Sequence, residues 1–279
     1  MLNGHLDTVG VQGMEQPFSA RMERSRVYGR GAYDMKGGLA ACIGAAAALA
    51  KAGSPFCGEL LVAAVADEEH ASLGTADLIE RYQWDAAIVT EPTHLEICLA
   101  HKGFAWLEQE LRSRPPHPLV GAPCLHAGVL RGGTAPSVYA ASCKVLIERR
   151  TVPGETETAV LEEIRELIDQ LQSEDPSFRA AARVELVRDP FETHPDSPVV
   201  AAVARAAERC LGRRASFCGQ TPWMDSALLA RAGIDTVVIG PAGAGAHAAE
   251  EWVDYRLGGT AFEHPGASSA GILRSRVIR

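Results

Sequence analysis

The 279-residue chain predicts an α/β fold. The expected architecture is a discontinuous α/β domain, its mixed and largely parallel sheet flanked by helices, with a smaller α+β domain inserted. Three observations carry that expectation. Over the first hundred residues short apolar runs alternate with helical segments in βαβα order, the pattern of a sheet covered by helices. Near Gly103 the texture changes to strands with imperfect alternation and one amphipathic helix. After Asp189 the α/β texture returns. The expected boundaries are residues 1–102 and 190–279 for the larger domain and 103–189 for the insert.

Taken in order, Leu2 to Val9 reads as a strand. Gly38 to Ala52 is an Ala-rich helix closed by Gly53, a residue suited to a left-handed cap. It carries Lys51 and falls short of the ~20 apolar residues of a membrane span, so it reads as a buried helix and no membrane partner is expected. Leu60 to Ala66 is a continuous apolar run, as for a strand covered on both faces. Thr75 to Tyr82 reads as a helix and Ala86 to Val89 as a short buried strand.

In the insert, Phe104 to Leu111 alternates imperfectly as a strand, and the Pro-rich stretch from Pro115 to Pro123 interrupts it. Leu125 to Leu130 and Lys144 to Arg150 read as two further strands. Val160, Leu161, Ile164, Leu167, Ile168 and Leu171 recur at helical spacing between Glu157 and Leu171. Asp196-Ser197-Pro198 then opens a helix with proline in its first turn, running to Leu211. Met224 to Ala232 reads as a helix, and Asp235 to Ile239 as a strand leading into a loop from Gly240 to Gly245.

Composition excludes some functions. The net charge is −8 with low aromatic content, and no basic patch interleaved with aromatics appears, so no nucleic-acid partner is expected. The acidity has two readings, ordinary solubility and neutralisation of some acids by bound cations. Seven cysteines form no CxxC pair, which fits a reducing cytoplasm better than a disulfide framework. The start, Met-Leu-Asn-Gly-His, has no basic n-region, so no export signal is expected and the expected location is cytoplasmic.

Four stretches carry the chemistry: His5-Leu6-Asp7, Asp34-Met35-Lys36-Gly37-Gly38, Asp67-Glu68-Glu69 and Glu91-Pro92-Thr93. His247 joins them from a Gly/Ala loop near the far end. Imidazoles and carboxylates of this kind hold pairs of divalent metal ions. His5 and Asp7, two residues apart on the expected strand, project to one face, where a carboxylate can orient a ligating imidazole. Asp34 has two oxygens able to bridge two cations, although read alone it is also a plain N-cap. Asp67-Glu68-Glu69 and Glu91 follow buried strands, at the edge where open α/β sheets bind ligands. Adjacent glutamates divide naturally into one metal ligand and one general base that takes a proton from activated water. A solvated acidic turn is the alternative reading of the same residues.

These stretches, with Asn3-Gly4 before His5, Gly29-Arg30-Gly31-Ala32-Tyr33 before Asp34, His101-Lys102-Gly103, Arg149-Arg150-Thr151-Val152-Pro153-Gly154-Glu155 and Gly240-Pro241, resemble the M20 metallopeptidase family of deacetylases, desuccinylases, aminoacylases and carboxypeptidases. The similarity runs through nearly the whole chain in order. The resemblance implies His5 and Glu91 on one metal, Glu69 and His247 on the other, and Asp34 bridging them beside a cis peptide. Asp7 would orient His5, and Glu68 would be the general base. The implied cofactors are two divalent metal ions, Zn2+ foremost, with Co2+ or Mn2+ as alternatives. The implied reaction is hydrolysis of the amide bond of an N-acyl amino acid or small peptide. The insert would be the family's lid, and Arg150 a lid arginine for the substrate carboxylate, which guanidinium geometry suits.

The chain also departs from the family pattern. Family members carry a helix and one or two strands before the His-x-Asp strand, which begins here at residue 2, so a central strand is expected to have lost sheet neighbours. In the lid, Leu111-Arg112-Ser113-Arg114 runs directly into Pro115, where the family has an Ala-His-Gly-type stretch and a long helix. His117 and His126 are the nearest histidines, neither in that motif. The tail after Asp254 is Gly/Ser-rich and is expected to be disordered. A homodimer remains compatible with the resemblance but is weakened by the shortened lid. The alternative function is therefore a truncated relative that binds metal with little or no turnover.

Overall fold

Runs of Ala, Val and Ile only four residues long make strands here because both faces of the sheet they enter are covered. The computed structural model describes residues 1–53, 56–105, 116–133, 137 and 139–255. In chain order the first elements are β1 (Leu2–His5), β2 (Arg21–Glu23), β3 (Arg26–Tyr28), α1 (Gly37–Ala52), β4 (Val62–Val65), α2 (Leu73–Arg81), β5 (Ala86–Val89) and β6 (Ile97–His101). There follow β7 (Gly103–Ala105), β8 (Cys124–Gly132), β9 (Cys143–Thr151), α3 (Glu157–Glu174), β10 (Val187–Arg188) and β11 (Phe191–Glu192). The last are α4 (Pro198–Leu211), β12 (Phe217–Gln220), α5 (Ser226–Arg231), β13 (Asp235–Val238), β14 (Gly243–Ala244) and β15 (Trp252–Asp254).

The chain divides into two units, one of Met1–Leu99, Thr193–Cys218 and Met224–Arg279, the other of Ala100–Glu192 and Gly219–Trp223. In the larger unit the sheet runs β6-β13-β5-β1-β4. β1 lies parallel to both β4 and β5, and β13 parallel to β5, whereas β6 is antiparallel to β13. The core gathers Leu2, Cys42, Ile88, Leu99, Val200 and Val237 among others, which places α1 and α4 against the sheet. A second, small antiparallel sheet, β14-β15-β3-β2, joins the two ends of this unit's chain. In the smaller unit the antiparallel order is β10-β7-β9-β8, and α3 buries Val160 and Ile164 against Ala182, Val184 and Val187.

Several sequence expectations shift. The first strand ends at His5, not Val9: Leu6 is exposed, and Asp7 lies in the loop beyond. The expected loss of sheet neighbours does not fall on β1, which is paired on both sides. Among the described residues β4 is an edge strand, paired with β1 alone. The helix expected over Met224 to Ala232 shortens to α5. Ala32–Ala52, taken as one helix, is long and apolar enough to cross a membrane, but non-helical backbone at Asp34 and Met35 breaks it. The remaining helix, α1, buries Leu39, Cys42 and Leu49 and closes on Gly53 at φ 58°. Most of the strand expected from Phe104 to Leu111, the run 111–115 and the tail from residue 256 lie outside the described residues.

Candidate metal centre

Because β1, β4, β5 and β13 run parallel, their carboxyl ends share one edge of the sheet, the usual ligand edge of such folds. His5 is the last residue of β1, Asp67-Glu68-Glu69 follow β4, and Glu91 follows β5. Two loops outside the main sheet complete the group. Asp34 lies in a wide turn after β3, at a cis peptide between Asp34 and Met35. His247 lies on the loop joining β14 to β15, with a left-handed φ of 62°.

The side chains meet around Asp34. His5 Nε2 is 3.1 Å from Asp34 Oδ1 and 3.6 Å from Glu91 Oε1. His247 Nε2 is 3.3 Å from Asp34 Oδ2 and 3.1 Å from Glu69 Oε2. Two sets of ligand atoms result, His5/Asp34/Glu91 and Asp34/Glu69/His247, each within 4.8 Å. The two oxygens of Asp34 thus face different imidazoles. Glu68 Oε2 lies 3.9 Å from His5 Nε2 without joining either set.

Asp7 does more than its position beside His5 suggested. Its carboxylate accepts the backbone N–H groups of Glu68 and Glu69, at 3.3 and 3.1 Å, so it holds the turn that carries both glutamates. His5 Nδ1 is closer to the Asp7 backbone carbonyl, at 3.0 Å, than to its carboxylate, at 3.6 Å. The strand argument for a shared face fails, since Asp7 is off the strand, yet the proximity survives through the loop. Glu69 is steadied in turn by the Val9 N–H, 3.3 Å from its Oε1. Gly240 approaches the Glu91 carbonyl so closely that a Cβ there would collide with it.

The electrostatics are those of buried, crowded acids. Burial, then the charges of Asp225 and Glu69, push the Glu68 carboxyl well above its ordinary value. Burial and Glu68 do the same to Glu91. Burial works to raise Asp34 too, but hydrogen bonds from His247 and His5 outweigh it and hold it low. Hydrogen bonds to Asp34 and Glu69 raise His247 to about 10. For His5 burial acts downward, yet Asp34 and the surrounding carboxylates leave the net shift upward. Divalent cations relieve this kind of crowding, and carboxylates paired with imidazoles are a donor set that suits them. The residues therefore fit a pair of such ions.

Arg150 belongs to the smaller unit. There its Nη1 is 3.4 Å from Glu148, its Nη2 donates to the Thr221 carbonyl, and its guanidinium lies 5.5 Å from the Phe104 ring centroid. Sequence reasoning missed three residues of the larger unit that bear on the centre: Asp225, Arg30 and Glu251. Asp225 is buried and accepts from Thr75 Oγ1. Glu251 and Arg30 form a buried pair at 2.7 Å. Glu251 stands four residues after His247 in an acidic pair with Glu250, and nothing in the pattern marks which of the two is buried.

Residues 1–261 match the model of "Peptidase family M20/M25/M40". An acetylornithine deacetylase of Myxococcus xanthus is 28% identical over 279 residues, covering 86% of this chain and 71% of the relative. An N-formyl-4-amino-5-aminomethyl-2-methylpyrimidine deformylase of Halalkalibacterium halodurans is 26% identical over 304 residues, with the same coverage. Among solved structures, the M20 family metallo-carboxypeptidase Sso-CP2 from Sulfolobus solfataricus superposes with a TM-score of 0.73 at 17% identity, covering 98% of this chain and 84% of that one. The YXEP protein of Bacillus subtilis, described as a dinuclear metal binding peptidase, gives 0.69 at 18% identity, covering 99% and 81%. At these identities the structures support the fold.

Proposed function

The chain belongs to peptidase family M20/M25/M40 and is a hydrolytic enzyme; on that premise we propose that it cleaves the amide bond of an N-acyl amino acid or small peptide at a two-metal centre. The single observation that carries this reading is the pair of ligand sets sharing Asp34. His5 and Glu91 would hold one ion, Glu69 and His247 the other, and Asp34 both. Imidazole with carboxylate donors favours zinc, with cobalt or manganese as substitutes. Ions so placed supply a polarised carbonyl and a water of lowered pKa.

The rest falls to the chain. Glu68 is the proposed general base: it takes a proton from the attacking water as the oxygen bonds to the carbonyl carbon. It then returns that proton to the nitrogen as the C–N bond breaks, releasing a carboxylic acid and an amine. The 3.9 Å between Glu68 Oε2 and His5 Nε2 supports that role. Asp7 keeps Glu68 and Glu69 in register through their N–H groups. The relatives named as a deacetylase and a deformylase favour a small acyl group, with Arg150 as the proposed partner of a substrate carboxylate. Seven free thiols support the cytoplasm as its compartment.

The test is hydrolysis of a panel of N-acetyl and N-formyl amino acids and dipeptides by zinc- or cobalt-loaded protein, with the metal content measured. Glu68→Ala should lower kcat by at least ~10² while retaining both ions, and Arg150→Ala should raise KM more than it lowers kcat. Two bound ions with no turnover on any member of the panel would favour the shortened, inactive relative instead. Failure to bind divalent ions would defeat both.

A further inference from the structure

We infer that Glu251 and Arg30 form a positioning clamp that selectively builds the second ligand set, Asp34/Glu69/His247; the inference rests on the two-metal reading. Glu251 is fully buried, and each of its oxygens takes two donors. Oε1 accepts the N–H groups of Tyr33 and Asp34 at 2.9 and 3.0 Å. Oε2 accepts the Gly31 N–H at 3.1 Å and Arg30 Nη1 at 2.7 Å. One carboxylate therefore satisfies the buried backbone of the turn that presents Asp34. Gly31 holds a left-handed φ of 77° there, and a Cβ on it would press on Thr8.

Arg30 extends the reach of that carboxylate to two other segments. Its Nη2 donates to the Ala248 carbonyl at 2.9 Å and its Nε to the Gly10 carbonyl at 3.1 Å. Ala248 is next to His247. Gly10 is next to Val9, whose N–H holds Glu69 Oε1. Each residue of the second set thus stands within one residue of a segment tied to the clamp, or is held by such a segment. The first set shares Asp34 but differs in its other two ligands, because His5 and Glu91 sit at the ends of β1 and β5 and are buried. His247 by contrast is half exposed, on the loop that Arg30 ties through the Ala248 carbonyl. Groups that hold ligands in this way commonly change metal affinity by about 10–100-fold when altered.

The experiment uses the full chain stripped of metal and titrated with Co2+ against a competing chelator, for wild type, Glu251→Gln and Arg30→Lys. Unfolding temperatures of the stripped proteins are measured alongside. Gln keeps one acceptor oxygen and loses the charge. Lys keeps a cation beside Glu251 but cannot also reach both carbonyls. Wild type should bind two equivalents, and in either variant the affinity for the second should fall about 10–100-fold relative to the first. An unchanged ratio of the two affinities, even with a lower unfolding temperature, would overturn the clamp and leave Glu251 a general stability residue. If Glu251→Gln does not fold, the Arg30→Lys ratio decides. Wild type binding fewer than two equivalents would instead sink the two-metal reading, and the clamp with it.

Discussion

A buried carboxyl is costly when ionised and tolerable when neutral, and Asp225 is such a residue. Burial raises it to about 6, against a reference of 3.8. A carboxyl raised in the fold binds its proton more tightly than in the unfolded chain. Its contribution to stability is complete below pH ~3.8 and is lost as pH rises through ~6. Asp225→Asn should therefore be more stable than wild type at pH 8, by an amount on the order of 3 kcal/mol, with the advantage shrinking as pH falls below 6. Thermal unfolding of metal-stripped protein between pH 5 and 8 reads this directly, and a gap that stays flat with pH would refute it. Asp225 also shows why some of the centre was illegible in the sequence. The ligands stood in short acidic stretches at strand ends, where their chemistry could be read. Asp225, Arg30 and Glu251 are defined only by what covers them. Glu250 and Glu251 are the same letter twice, one exposed and one buried.

At the scale of elements, legibility followed how local the determinants were. α1 with its glycine cap, α3 and α4 follow from spacing and capping within one segment, and the structure places them within a few residues of expectation. α4 adds a long-range cap that the sequence hid: Ser197 Oγ donates to Asp235 Oδ1 at 2.6 Å, and Asp235 Oδ2 accepts the Val199 N–H at 3.1 Å. Asp235→Ala should cost about 1–2 kcal/mol and Asp235→Asn less. Its cost should not add to that of Ser197→Ala, since the two share one bond. Full additivity in thermal unfolding would contradict the shared cap. The small sheet was not readable at all. β2, β3 and β15 are three residues each, and β14 two; charged side chains occur in the first three, and β3 and β15 pair across more than two hundred residues of chain. Yet this sheet holds the turn with Asp34 and the loop with His247. β6 was missed for a different reason: Ile97 to His101 is wholly buried, but its end was read as part of a motif.

Across the whole molecule, every residue assigned to the centre belongs to the larger unit, and that distribution makes a regional prediction. An ion bound by the native state and not by the unfolded chain stabilises by about 2.7 kcal/mol when its concentration is one hundred times Kd. Because the proposed ligands come from β1, the turns after β4 and β5, the Asp34 turn and the His247 loop, that energy should first appear as protection of those segments against local opening. Hydrogen exchange with and without a chelator should show slower exchange on metal binding over residues 2–9, 30–36, 66–72, 89–93 and 245–252. Amides of α3, β8 and β9 in the smaller unit should change little. The clamp refines the pattern. In Glu251→Gln the metal-induced protection of 66–72 and 245–252 should fade at ion concentrations that still protect 2–9 and 89–93. Equal fading in all four segments would mean that the two ligand sets rise and fall together. Metal-induced protection equally strong in α3 would mean that the ions are not held by these residues alone.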